Sequence, residues 1–148
     1  MSRYAENRKV RFDYETLEKY EAGIELLGTE VKSVRNGKIS LEGSFVIIRG
    51  GEAYLINANI QPYQPKNAPK DYDPMRNRRI LLTKKEIAKL ESGTRNKSLT
   101  IVPYSVYNKG KKIKLELHLV KGKKTRDKRE SIKRRETDRE IRREFRGK

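Results

Sequence analysis

Lys112-Ile113-Lys114-Leu115-Glu116-Leu117-His118-Leu119 alternates polar and apolar residues without a break. Successive side chains of a strand point to opposite faces, so this period of two puts Ile113, Leu115, Leu117 and Leu119 on one side. Lys112, Lys114, Glu116 and His118 fall on the other. One buried face and one solvated face is the pattern of an antiparallel sheet. Just upstream, Ser98 to Tyr107 is also β-rich, but its apolar phase switches from Leu99/Ile101 to Val102/Tyr104/Val106 beside Pro103. A phase switch at a proline predicts a bulge or sharp bend of the kind barrels use at corners. Further out, Phe45–Ile48 and Ala53–Ile56 flank Arg49-Gly50-Gly51-Glu52 and predict a hairpin with a tight Gly-Gly turn. Arg11 to Ile24 offers one more long strand. Two helices complete the reading. Thr83-Lys84-Lys85-Glu86 fits a capping box ahead of Ile87 and Leu90, with a stop at Gly93. The shorter Thr29 to Arg35 turns Val31 and Val34 inward and Lys32 and Arg35 outward. Gln61 to Asn77 holds four of the five prolines and reads as a long exposed loop. The fold class is therefore mainly β, a small barrel with helices.

Charge narrows the function. The 148 residues include 37 Lys/Arg and 20 Asp/Glu, a net charge of +17, and 39% are charged. That surplus calls for a polyanion, with nucleic acid ahead of an anionic membrane. With no cysteine and one histidine, disulfides, thiol catalysis, zinc fingers, iron–sulfur clusters and multi-histidine metal sites are excluded. The longest apolar run, Phe45 to Ile48, is far short of a spanning helix, and Met1 to Phe12 lacks the apolar stretch of a signal peptide. A soluble, cytoplasmic protein that does not enter a membrane is expected. Residues 121–148 carry 14 Lys/Arg against 6 Asp/Glu, a net of +8, with Ile132, Ile141 and Phe145 as their large apolar residues. So little apolar surface cannot offset the entropy of ordering, which predicts a folded domain over 1–120 and a basic tail over 121–148.

Several motifs in order and register resemble one family. They are Asn7-Arg8-Lys9, Tyr20-Glu21-Ala22-Gly23-Ile24, and Gly28-Thr29-Glu30-Val31-Lys32-Ser33-Val34-Arg35-Asn36-Gly37-Lys38. Gly51-Glu52-Ala53-Tyr54-Leu55, Asp73 to Leu82, Thr100-Ile101-Val102-Pro103, Gly122-Lys123-Lys124 and Asp127-Lys128-Arg129 continue the series. Together they are similar to the small protein B family of bacterial tmRNA-binding proteins, over nearly the whole chain from Asn7. The resemblance implies an OB-type β-barrel with two or three short helices and a basic C-terminal tail, disordered until it folds as a helix on binding. It implies binding to the tRNA-like domain of tmRNA and delivery of that RNA to stalled ribosomes. The tail then enters the empty message channel near the decoding site. Partners implied are tmRNA, the ribosome, and elongation factor Tu through the charged tmRNA, with the chain acting as a monomer and without cofactors. Positions matching Asn7, Glu21, Leu81 and Lys114 are expected to bind tmRNA. Gly122, Lys123, Lys124, Asp127, Lys128 and Arg129 are expected to serve the ribosomal step. Arg126 stands where relatives often carry His or Tyr.

Each candidate also has a plainer reading. Glu21 is set either to hydrogen-bond a base or ribose edge or to orient a neighbouring cation, or else it is a surface ion pair. Lys114 is on the polar side of its strand, where Lys112 and His118 extend the same face into a binding surface; a solvated charge is the alternative. His118 lacks a second ligand at metal spacing. Leu81, within Ile80-Leu81-Leu82, is contact or core. Asn7, Arg8 and Lys9 form an arm able to drape on RNA. The tyrosines at 14, 20, 54, 104 and 107 are expected mainly in the core, although OB barrels also use aromatics as stacking platforms. For the tail, a nonspecific electrostatic anchor is the plain alternative. Against it, Thr125–Phe145 contains no Pro or Gly and mixes acids with bases, so it is a marginal helix alone that gains from phosphate neutralisation.

Catalysis is not expected. There is no GK[ST] phosphate loop, and Asp71 and Asp73 lie in a loop flanked by Lys70 and Arg76. The competing class is a ribosomal or structural RNA protein with an OB barrel and a basic extension.

Overall fold

The computed structural model describes residues 3–67 and 70–122. Its elements run β1 (Arg3–Glu6), α1 (Lys9–Asp13), β2 (Tyr14–Ile24), α2 (Gly28–Arg35), β3 (Ile39–Ser40), β4 (Phe45–Arg49), β5 (Glu52–Ile56), β6 (Asn59–Ile60), β7 (Arg78–Leu81), α3 (Lys84–Thr94), β8 (Leu99–Lys109) and β9 (Lys112–Gly122). The seven-stranded sheet has the order β1-β8-β4-β5-β7-β2-β9, and β9 pairs back onto β8, so the sheet closes on itself as a barrel. Closure removes the open edges that a flat sheet leaves.

The alternation in β9 sets the barrel's inside. Leu115, Leu117 and Leu119 are buried in the main core, with Ile113 packed against it. Opposite them on β8, Ile101 and Val106 face the same core. The expected irregularity sits between Pro103 and Ser105, where the β8–β9 register shifts. The extra residue, Tyr104, turns outward with Val102, and Val106 returns to the inside instead of joining them. On that outer face Val102, Tyr104 and Val120 form a second cluster under Val10 of α1. The Gly50-Gly51 turn has φ of 59° and 75°, the left-handed conformation that a two-residue hairpin requires, and β4 and β5 pair from Phe45↔Ile56 to Arg49↔Glu52. The α3 box is as read: the Glu86 amide donates to Thr83 Oγ1 at 3.2 Å, and the Thr83 amide to Glu86 Oε1 at 3.0 Å.

Two expectations need correction. Arg11 to Ile24 is not one strand, because Lys9–Asp13 is a short helix that buries Val10, and β2 starts at Tyr14. Gln61 to Asn77 is not merely exposed: it includes a 3-10 turn at Pro65–Asn67, and Tyr72, Pro74 and Arg76 tie it down. Glu30 of α2, 1% exposed, accepts from Arg76, from fully buried Arg78 (Nε to Oε2, 2.8 Å), from the Tyr72 hydroxyl at 3.1 Å, and from the Leu27 amide at 2.9 Å. Arg78 also donates to the carbonyls of Ala58 and Pro74. Burial alone would push the Glu30 carboxyl up; the hydrogen bonds from Arg76, Leu27 and Arg78 outweigh it and hold it below the usual range. β9 runs to Gly122, which pairs with Tyr14.

Candidate nucleic-acid interface

β2 lies between β7 and β9, and this placement brings distant residues side by side. Gly23 pairs with Leu81 on one side and Lys114 on the other, and Lys114 pairs in turn with Tyr107 of β8. Directly paired residues share a face, so Leu81, Gly23, Lys114 and Tyr107 form one outward row across four strands. Glu21 is two residues before Gly23 and therefore on the same face. Leu81 is 45% exposed, so its side chain is on the surface and not in the core.

The Glu21 carboxylate accepts from Lys109 Nζ at 2.8 Å and from the Tyr107 hydroxyl at 2.5 Å. The bond from Lys109, then that from Tyr107, holds its pKa below the ordinary carboxylate value, so it is ionised at neutral pH. Burial first, then the bond to Glu21, pushes the Tyr107 hydroxyl up, which keeps it a donor. The surface ion pair of the plainer reading is present, because the carboxylate pairs with Lys109 and remains exposed.

Beside this row opens a groove of about 350 Å³ lined by Arg35, Lys111, Lys112 and Lys114 with Gly23, Leu26, Ile113 and Leu81 among its walls. Among the described residues, no carboxylate lines it. Arg35, at the end of α2, is tied to the β8–β9 turn by Nη2 donating to the Lys111 carbonyl at 3.0 Å. Four cations around one concavity repel one another and lower their mutual energy when a polyanion enters. A second groove of about 560 Å³ shares Gly23, Leu81 and Lys114 and continues past Glu21, Arg79 and Lys84.

The other expected residues lie elsewhere. Asn7 is not in a draping arm: its amide donates to the Tyr104 carbonyl at 2.7 Å and its side chain to the Leu41 carbonyl at 3.4 Å. Arg8 is exposed, and Lys9 pairs with Glu42; Asn7 and Lys9 line a separate groove with Tyr14, Glu42 and Phe45. His118 is corrected most clearly. It is 3% exposed, its ring stacked on Tyr104 with centroids 4.7 Å apart, with Nε2 at 2.7 Å from Glu116 and Nδ1 at 3.2 Å from Thr16. Lys112 and Lys114 share the groove; His118, although of the same strand parity, is covered and cannot extend it. Gly122 ends β9, and Lys123, Lys124, Asp127, Lys128 and Arg129 lie outside the described residues. Missing from the sequence reading were Tyr107 and Lys109 as the partners of Glu21, and Gly23 and Arg35 as parts of the groove. Their signal is in register and tertiary placement, not in local pattern.

The family described as SmpB protein matches residues 4–147. The chain belongs to the SmpB protein family. Among SmpB relatives, the SsrA-binding protein of Prochlorococcus marinus (strain MIT 9515) is 51% identical over 139 residues, covering 94% of this chain and 84% of the relative. That of Latilactobacillus sakei subsp. sakei (strain 23K) is 51% identical over 142 residues, with 96% and 90% covered. A solved structure, "tmRNA-SmpB: a journey to the center of the bacterial ribosome", contains a chain of TM-score 0.69 and 46% identity, with 86% of this chain and 93% of that one covered. The fold so matched is the mainly β barrel with three helices described above.

Proposed function

We propose that this chain is the protein partner of tmRNA in trans-translation, binding the RNA's tRNA-like domain and bringing it to stalled ribosomes. The observation that carries the reading is the convergence of Glu21, Leu81 and Lys114, from three separate strands, on one face beside a groove walled by four cations and, among the described residues, no acid. Lysines and Arg35 take phosphates, the Leu81 face takes a ribose or base, and ionised Glu21 accepts from a base or ribose edge. Asn7, Arg8 and Lys9 supply a second contact. The tail, with its GKK and DKR motifs, then reads the empty message channel on the small subunit. The role is binding as a monomer in the cytoplasm, not catalysis, and elongation factor Tu joins through the charged RNA. No described helix is long and apolar enough to cross a membrane.

The test is a gel-shift series across salt with the tRNA-like RNA and a plain duplex of equal length. Wild type should prefer the tRNA-like RNA, and Lys114→Ala should weaken that binding and reduce the salt slope by about one. Equal affinity for both RNAs would defeat the reading.

A further inference from the structure

Gly23 is the next-to-last residue of β2, paired on both sides at the junction of the two grooves, yet its backbone gives no reason for a glycine. Its φ is not among the positive values found at Gly37, Gly43, Gly50, Gly51 and Gly110. A glycine inside a strand weakens it and marks a place where something approaches closely. What approaches here is Leu81. A Cβ added at Gly23 would lie 3.2 Å from Leu81 Cβ and 3.4 Å from Leu81 Cδ1. Gly93 makes a comparable contact of 3.2 Å with Leu119, but Leu119 is a core residue and that closeness seats α3 on the barrel. Leu81 is 45% exposed, so the space under it does not serve the core.

We infer that Gly23 is a positioning residue of the RNA site: it lets Leu81 lie flat across β2 as an apolar shelf, flanked by Lys114, that takes the face of an unpaired nucleoside. The chemistry around the shelf fits such a ring. Leu81 offers aliphatic surface, Lys114 a cation on the paired strand beside the glycine, and Glu21 an ionised acceptor two residues away on the same face. A stacked, paired base does not present its face, so the shelf discriminates for loops over helices. An alanine at 23 meets Leu81 in that tight range, lifts the shelf by a few tenths of an ångström and narrows the floor.

The inference rests on the RNA-binding role proposed above, and a double-mutant cycle separates the two. Wild type, Gly23→Ala, Leu81→Ala and the double variant are compared in full-length protein for affinity to the tRNA-like RNA and to the plain duplex, with thermal unfolding in parallel. Gly23→Ala should bind the tRNA-like RNA about tenfold more weakly and the duplex as wild type does. It should melt within about 5 °C of wild type, since the strand preference of alanine offsets the tight contact with exposed Leu81. On the Leu81→Ala background the glycine substitution should cost no further affinity, because its effect runs through Leu81. Additive losses, an unchanged Gly23→Ala affinity, or a melting point lowered by more than about 5 °C would overturn the inference. If wild type itself fails to prefer the tRNA-like RNA, it is the binding role that falls, and the inference with it.

Discussion

His118 shows how one residue's surroundings decide its use. Desolvation lowers its pKa, opposed by the bond to Glu116, with Lys19 and Arg11 adding to the lowering. Arg11 lies 5.2 Å from the centre of the Tyr104 ring, on which the buried His118 stacks. Its folded pKa is below the unfolded value of about 6.5, so unfolding takes up a proton at mildly acid pH. The stability this group contributes is full above about pH 6.5 and is lost as pH falls through its folded pKa. The melting temperature should therefore drop between pH 7.5 and pH 5, and His118→Gln should drop less over the same interval. Parallel curves for the two proteins would contradict the assignment. The residue scale also marks where local pattern misleads. Strand parity put His118 with Lys112 and Lys114, but its cover comes from Thr16, 102 positions earlier, and from the outer cluster under α1. Leu81 went the other way. Its apolar character is compatible with core, and only its pairing with Gly23 shows it to be exposed.

At the scale of elements, β9, the Gly-Gly hairpin and α3 were legible because each is specified by neighbours in sequence: alternation, a turn dipeptide and a capping box. α1 was not, since five residues are too few to establish a period and its helix rests on Val10 packing under β8 and β9. The loop over 61–77 was half legible. Its prolines mark irregular backbone, but nothing local says that Arg76 and Arg78 reach back to Glu30, 46 and 48 positions away. Removing one partner of a buried pair leaves the other charge uncompensated, at about 3–5 kcal/mol. Glu30→Gln should thus lower stability by that order in denaturant titration. It should do so with a loss of the acid-limb pH dependence, because the wild-type carboxyl, held below its ordinary value, contributes stability above about pH 4.5 that is lost as pH falls. A loss under about 1 kcal/mol would show that the network is not holding α2 to the loop.

In the proposed function the whole molecule divides its labour between a barrel that holds RNA and a tail that acts on the ribosome. The composition break near residue 121 is the sequence feature behind that division, and β9 runs to Gly122. A truncation after Gly122 should fold, bind the tRNA-like RNA, and fail to support peptide tagging on a ribosome with a message lacking a stop codon. Within the tail, replacing Asp127-Lys128-Arg129 by three alanines changes the net charge by one, as Lys148→Ala does. Bulk attraction treats these alike; a geometric fit loses far more tagging in the first, and equal rates would reduce the tail to an anchor.

The most direct measurement of the central claim is the RNA that copurifies with the full chain from bacterial lysate, compared with that held by Lys114→Ala. The account predicts one dominant structured RNA with a tRNA-like end on the wild type, strongly depleted on the variant. Ribosomal RNA in stoichiometric amount, equal on both proteins, would contradict it and make the chain a structural ribosome component.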